Sequence, residues 1–174
     1  MVFNFSFAQS PEWVNFTAGN YIQALAFEGD YIWVGTEGGG LVKLNMVTGE
    51  KVHYNKANSG LPSNWVLAIA IDGQGNKWIG TDWGGLVKFD GLNWTVYNTS
   101  NSSLPSDTIF AIAIDSKGSR WIGTSRGLAK FDRVNWTVYN TSNSGLPSNY
   151  VYAIANGWVR QQMDWNMERR IIKV

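Results

Sequence analysis

Five residues that follow short Trp-x-Gly-Thr segments are the main candidates for binding chemistry in this sequence. They are Glu37, Asp82, Trp83, Ser125 and Arg126. They differ between segments whose other residues are nearly identical, so a shared packing role does not explain them. Two carboxylates, an arginine and an indole ring together suit a sugar or a charged small molecule. The alternative interpretation is ordinary variation on solvent-facing turns.

Residues typical of catalysis or metal binding are scarce. Asp72 and Asp115 each precede a glycine by three residues, but one carboxylate per loop cannot supply the several oxygens that calcium needs. A hairpin turn is therefore favoured over a calcium site. His53 is the single histidine and lies in a predicted strand, with no segment typical of a nucleophile turn, and the chain has no cysteine. We predict no catalytic residue, no metal site and no cofactor.

The candidate residues recur because the chain is built from repeats. Residues 61–103 and 104–145 are identical at 28 of 42 aligned positions, a more diverged copy covers about residues 20–60, and a fourth begins at 146–155. Internal repetition at a period of about 43 residues is typical of arrays of small structural units. Each unit here holds four short apolar runs separated by turn residues, which predicts four consecutive antiparallel strands.

In the second unit the predicted strands are Val66 to Ile71, Lys77 to Thr81, Leu86 to Phe89, and Trp94 to Tyr97. Four strands per period predict an all-β chain of β-propeller blades, with about three to four blades present. Small residues in Ala68-Ile69-Ala70 suit an inner strand near the axis, and Trp78 suits the space between neighbouring sheets. In a propeller the loops after the second and fourth strands share one face, which is where we expect a ligand.

Five short motifs of the repeat resemble those of a known family. LPSN, AIAID, WIGT, GGL-x-KFD and NWT-x-Y together resemble the two-component regulator propeller repeat, over about residues 12–155. The resemblance implies a ring of six to eight blades, ligand sensing or scaffolding, an extracytoplasmic location (periplasmic or secreted) and no catalytic motif. A weaker similarity to streptogramin-lyase-like propellers implies an enzymatic alternative.

The two ends of the chain depart from the repeat. Residues 1–11 resemble the end of a secretory leader, with a merely apolar N-terminus as the alternative. Residues 12–16 match the outer strand of a unit but precede any inner strand. After residue 155 the repeat is lost, and residues 156–174 form an aberrant tail. A stripe of Val159, Met163, Met167 and Ile171 indicates a helix there, and a poorly packed extension is the alternative.

The genetic code offers an explanation for the tail. Read one nucleotide later, codons for Gln161-Gln162-Met163-Asp164-Trp165-Asn166 permit Asn or Ser, Lys or Arg, Trp, Ile or Thr, Gly, and Thr or Ile. That is the second-strand motif of the repeat, at the spacing seen in the second unit. We therefore predict that the tail is a frameshifted fourth blade, which the codons of the gene would decide.

Composition limits the function classes that remain. Only 16% of residues are charged and the net charge is +1, which excludes a disordered chain and gives no electrostatic footprint for nucleic acid. No apolar run approaches the length of a membrane span. We predict a non-catalytic ligand-binding, sensory or scaffold module for a small molecule or glycan.

The number of blades predicts one partner, because three blades do not close a ring. Exposed blade edges should therefore drive self-association into a closed propeller. The alternatives to this function are a lyase-like enzyme, or a fragment of a decayed or engineered gene without an evolved function.

Overall fold

The computed structural model describes residues 21–155 and 171–173, and the regular elements within them are all β-strands. Blade 1 contains β1 (Ile22–Glu28), β2 (Tyr31–Thr36), β3 (Gly40–Asn45) and β4 (Lys51–Tyr54). Blade 2 contains β5 (Val66–Ile71), β6 (Lys77–Thr81), β7 (Leu86–Phe89) and β8 (Trp94–Tyr97). Blade 3 contains β9 (Ile109–Ile114), β10 (Arg120–Thr124), β11 (Gly127–Phe131) and β12 (Trp136–Tyr139). Each blade is an antiparallel sheet in which every strand pairs with the next along the chain. The predicted all-β propeller blades are confirmed, and the strands of blade 2 have the predicted bounds.

Two short strands follow the third blade. β13 (Ala153–Ala155) lies beside β9, where the inner strand of a fourth blade is expected, and it pairs in parallel with β14 (Ile171–Lys173). The predicted leader remnant, the orphan strand at 12–16 and most of the tail at 156–174 fall outside the described residues. No helix in the described part of the chain is long and apolar enough to cross a bilayer.

The hydrophobic core lies between blades. The residues shared by blades 1 and 2 are Trp33, Leu41, Leu61, Val66, Ile79, Val87 and Phe89. Their counterparts between blades 2 and 3 are Trp78, Leu86, Leu104, Ile109, Ile122, Ala129 and Phe131. Each interface thus takes its tryptophan from the second strand of the preceding blade, as the sequence predicts for Trp78.

The spacing between blades is set by a β-branched residue that meets a glycine. Val66 begins the inner strand of blade 2 and lies over Gly35 of blade 1, and Ile109 lies over Gly80 in the same way. A Cβ added to Gly80 would lie 2.7 Å from Cγ2 of Ile109 and 3.1 Å from its carbonyl oxygen. Only glycine leaves room for this approach, so the Gly of each Trp-x-Gly-Thr segment is fixed by the neighbouring blade.

A buried polar clasp joins successive blades on the same interfaces. Asp72 directly follows the inner strand of blade 2; its Oδ2 accepts the Trp78 indole N–H at 3.0 Å and Arg120 Nη2, from blade 3, at 2.6 Å. The Arg120 guanidinium also lies 4.4 Å from the centre of the Trp78 ring, close enough for a cation–π interaction. One carboxylate therefore holds the tryptophan of its own blade and the cation of the next.

The same clasp joins blades 1 and 2. Glu28 accepts the Trp33 indole N–H at 2.8 Å, and its other oxygen accepts Lys77 Nζ at 2.9 Å. Lys77 Nζ lies 4.9 Å from the Trp33 ring centre. Motif spacing alone did not reveal these ion pairs, because the two partners come from different repeats.

Hydrogen bonding controls the ionisation of the clasp acids. Burial alone would raise the pKa of Asp72, but hydrogen bonds from Trp78, Asn76 and Arg120 outweigh it and hold that pKa well below its usual value. In Glu28, burial also acts to raise the pKa, and hydrogen bonds from Lys77 and Trp33 lower it overall. Both acids are therefore anionic at neutral pH.

We expect Gly80→Ala to destabilise the chain by about 1–3 kcal/mol, because the added methyl group overpacks the contact with Ile109. Gly73→Ala is the matched control, since a Cβ there meets nothing within 4 Å. Urea unfolding followed by tryptophan fluorescence measures both. Equal midpoints for the two variants would contradict the packing role of Gly80.

We expect Asp72→Asn to lower stability at pH 7 by about 3 kcal/mol, because it leaves the buried Arg120 cation uncompensated. Since the folded pKa of Asp72 lies below the usual aspartate value of 3.8, its contribution is fully present above that value and is lost progressively as the pH falls from there towards the lower, folded pKa. The difference between wild type and variant should therefore shrink between pH 5 and pH 2. Urea midpoints across this range measure it, with the exposed Asp30→Asn as control. A difference that does not change with pH would refute the assignment.

Candidate functional site

The inner strand of each blade carries a β-bulge at its second residue. The register shifts between Ile22 and Ala24, between Val66 and Ala68, and between the partners of Gly123 and Thr124. The residues left out of the ladder are Gln23, Leu67 and Phe110. A bulge bends the strand and turns the extra side chain in a new direction, and here all three side chains line one cavity.

This cavity has a volume of about 450 Å³ and lies where the inner strands meet the loops after the second strands. Its lining residues are Gln23, Glu37, Trp65, Leu67, Asp82, Phe110 and Tyr152. Trp65 is half exposed, and its backbone carbonyl accepts the N–H of Asp82, which ties the start of β5 to the end of β6. We refer to these seven residues as the channel mouth.

Aromatic rings form one side of the channel mouth. Phe110 and Tyr152 have ring centres 4.6 Å apart at 33°, and Tyr152 stacks on Tyr150 at 6.0 Å. Tyr150 and Tyr152 are both exposed. Large aromatic faces that stay open to solvent offer a surface on which the apolar face of a ligand can stack.

Two carboxylates also line the channel mouth. Glu37 Oε2 accepts a hydrogen bond from Gln23 Nε2 at 3.0 Å, and Asp82 Oδ1 accepts one from the Thr108 hydroxyl at 2.8 Å. Each carboxylate therefore keeps one oxygen outside these bonds. The site combines fixed hydrogen-bond acceptors with stacking surfaces, which can orient and hold a polyhydroxylated or cationic molecule.

The structure brings together two of the five predicted site residues. Glu37 and Asp82 line the channel mouth, whereas Trp83, Ser125 and Arg126 lie outside its lining. Trp83 is 84% exposed with φ at +60°, where the first repeat has Gly38 with φ at +87°. Ser125 Oγ lies 2.7 Å from Ser106 Oγ, and Arg126 is exposed.

The hairpin interpretation of Asp72 and Asp115 agrees with the geometry. Asp72 Oδ1 accepts the N–H groups of Gln74 and Asn76, and Asp115 Oδ1 accepts those of Lys117 and Ser119. These oxygens close the turn between the first and second strands. No group of three or more potential metal-ligating side chains occurs within residues 21–155. His53 lies exposed on β4, away from the channel mouth.

Sequence reasoning missed the inner-strand residues of the site. Gln23, Leu67, Phe110 and Tyr152 occupy one repeat position and Trp65 lies two positions before Leu67, and the residue type at both positions differs between repeats. The criterion that selected Glu37 and Asp82, variation between near-identical repeats, would have selected them too. Alternation along a strand predicts instead that residues at these positions pack in the core.

The fold defines the chain as a set of β-propeller blades. Within that class, residues 60–83 match the family model described as two component regulator propeller. The predicted resemblance to this repeat family is therefore confirmed. A search of the curated proteins returned no match.

Solved structures of bacterial surface and extracellular proteins share the fold. The extracellular domain of a hybrid two component system from B. thetaiotaomicron superposes with a TM-score of 0.70 at 28% identity, over 77% of this chain and 19% of that chain. PorZ, a surface component of the type-IX secretion system of Porphyromonas gingivalis, gives 0.56 at 17% identity, over 76% and 23%. The chain therefore spans less than a quarter of either of these relatives.

An enzyme shares the fold as well. Virginiamycin B lyase from Staphylococcus aureus gives a TM-score of 0.56 at 13% identity, over 70% of this chain and 41% of that chain. At that identity the likeness concerns the fold alone, and the function must be argued from the site.

Proposed function

We propose that the chain is a non-catalytic ligand-binding module, sensory or scaffolding, of an extracytoplasmic propeller protein, and that it binds a sugar or similar small molecule at the channel mouth. The observation that supports this most is the convergence of the residues that differ between repeats. Gln23, Leu67, Phe110 and Tyr152 occupy one position of the repeat, and all four face the same cavity together with Glu37 and Asp82.

The chemistry of the lining favours a ligand with an apolar face and polar edges. Trp65 and Tyr152 can stack against the face of a sugar ring, while Asp82 and Glu37 can accept hydrogen bonds from its hydroxyl groups. The carboxylates would also favour a cationic small molecule. A polyanionic ligand would be repelled by the same two groups.

The ionisable groups of the channel mouth support binding rather than catalysis. The acid–base side chains in its lining are Glu37, Asp82 and Tyr152, and both carboxylates already hold a neighbouring side chain of the protein. Histidine is the most common general base in enzymes, and His53 lies on the outer strand of blade 1, outside the lining of the channel mouth. A lyase-like activity remains the second candidate, supported by the fold alone.

We expect Trp65→Ala to weaken binding of a sugar at least about tenfold, because aromatic anchors carry most of the affinity of small interfaces. Asp82→Asn should weaken it as well by removing an ionic acceptor. A glycan array first identifies an oligosaccharide, and titration calorimetry then measures each variant. The controls are Leu92→Ala and Glu50→Gln, both in exposed outer turns. Unchanged affinity in Trp65→Ala would contradict this site.

We also propose that the blades complete a ring by self-association. Ile22 holds the position of Val66 and Ile109 at the start of an inner strand, yet it is 56% exposed whereas both of those are fully buried. Leu25 and Phe27 on the same strand are exposed too. Blade 1 therefore presents an exposed apolar strand face, which a second copy of the chain can cover.

Light scattering across a concentration series should give a closed dimer, and Ile22→Asp should convert it to monomers because it places a charge in the interface. Val47→Asp, in an exposed outer turn, is the control and should leave the dimer intact. A stable, well-folded monomer at every concentration would rule out this assembly.

A further inference from the structure

Trp83 is a large apolar side chain that the fold leaves in solvent. It is 84% exposed, whereas Trp33 and Trp78 of the inter-blade cores are 1% and 2% exposed. Buried aromatic side chains dominate the packing energy of protein cores, and Trp83 contributes almost nothing of this kind. Packing therefore does not account for a tryptophan at this position.

The backbone of Trp83 lies in the left-handed region, with φ at +60°. A bulky L-residue is rare there, because its Cβ crowds the following carbonyl oxygen. Blade 1 has Gly38 at the equivalent position of the same loop, with φ at +87°. Glycine adopts this conformation without the crowding. The loop can thus be built without strain, yet blade 2 combines a strained backbone with an exposed ring.

Hydrogen bonds on both sides of Trp83 hold the loop that carries it. The Asp82 N–H donates to the Trp65 carbonyl at 3.0 Å, and the Gly85 N–H donates to the Asp107 carbonyl at 2.8 Å. Trp65 and Asp107 belong to the segments that lead into the inner strands of blades 2 and 3. The position of Trp83 is therefore fixed relative to the strands that line the cavity.

Trp83 is placed at the rim of the channel mouth. It directly follows Asp82, which lines the cavity and is bonded to Trp65, another lining residue. Trp83 itself does not line the cavity, so its exposed ring lies beyond the cavity rather than inside it. A ligand that occupies the cavity and extends past Asp82 would meet this indole.

We propose that Trp83 is an outer stacking platform of the channel mouth, on which a second ring of the ligand stacks while the first ring occupies the cavity. This inference rests on the proposed function, namely that the channel mouth binds a sugar. It adds that the ligand is an oligosaccharide of at least two units, and that Trp83 selects for chain length. An exposed indole offers a flat apolar face for stacking, and backbone strain is concentrated at ligand-binding sites, where it is retained for function.

The strain distinguishes a binding role of Trp83 from a structural one. Trp83→Gly removes the ring together with the Cβ that crowds the left-handed backbone. The relieved strain offsets the greater freedom of glycine in the unfolded chain, so the urea midpoint, followed by circular dichroism, should equal or exceed that of the wild type. Trp83→Ala keeps the crowded Cβ and should have the lower midpoint of the two variants.

The binding test uses an array of gluco-, manno- and xylo-saccharides, from the monosaccharide to the hexasaccharide of each series. Titration calorimetry on the series that binds should show that the wild type prefers the oligosaccharides over the monosaccharide by about tenfold, the effect of one added aromatic stacking contact. Trp83→Gly and Trp83→Ala should remove this preference and leave the affinity for the monosaccharide unchanged. Trp83→Tyr, which keeps an aromatic face, should restore most of it.

Leu92→Ala is the matched control, because Leu92 is an equally exposed apolar residue in an outer turn of the same blade, at 88%. It should leave the preference for longer saccharides intact. Trp65→Ala separates this inference from the proposed function, because it removes a ring of the cavity itself and should weaken binding at every chain length.

The outcomes distinguish the two proposals. If no saccharide of the array binds the wild type, the proposed function and the outer platform both fail. If Trp65→Ala weakens binding but Trp83→Gly keeps the preference for longer saccharides, the outer platform alone is overturned. A Trp83→Gly variant with a lower urea midpoint than the wild type, or one that loses self-association while its binding is unchanged, overturns it as well.

Discussion

The contact between a β-branched side chain and the glycine of the preceding blade is the constraint on which this structure depends. Val66, Ile109 and Val151 each lie over such a glycine, and this contact sets the distance between inner strands. Because the strands are held at that distance, the tryptophans fill the wider space behind them and the loops of successive blades meet at one mouth. A blade that lost the contact would lose both its core and its share of the channel mouth, since the two core clusters lie between blades.

The clasp, in which one carboxylate binds an indole N–H and a cation of the next blade, makes the packing between blades geometrically specific. Hydrophobic contacts tolerate small displacements of one blade relative to the next. A carboxylate that accepts hydrogen bonds from an indole N–H and from a cation constrains the relative position of the two blades more tightly. A buried ion pair pays a desolvation cost that limits its net contribution to stability. Its larger effect here is on which blade can follow which. Only a blade with a basic residue at the correct distance from its first strand can bind the carboxylate of the preceding blade. Near-identical repeats can thus be ordered along one chain.

The sequence was sufficient for the blades but only partly sufficient for the site. Four apolar runs per period, Gly-containing turns and a Trp on each second strand determine a four-stranded blade locally, which is why the bounds of β5 to β8 agree with prediction. Glu37 and Asp82 could be selected because loop residues vary visibly. The inner-strand residues vary between repeats as well, but strand alternation assigns them to the core, and the bulge that turns them towards the cavity cannot be read from that alternation. The clasp could not be predicted for another reason: its partners Asp72 and Arg120 lie 48 positions apart in different repeats.

The bulge has an evolutionary consequence. Gln23, Leu67 and Phe110 lie outside the hydrogen-bonded ladder and outside the inter-blade core, so a change at this position removes no ladder pairing and no residue of that core. Each blade therefore contributes one side chain to the pocket that can be exchanged independently of the others. Duplication of a blade followed by a single substitution would give a new combination of wall residues without loss of folding, and pocket diversity in such a protein can grow as fast as its repeats are copied.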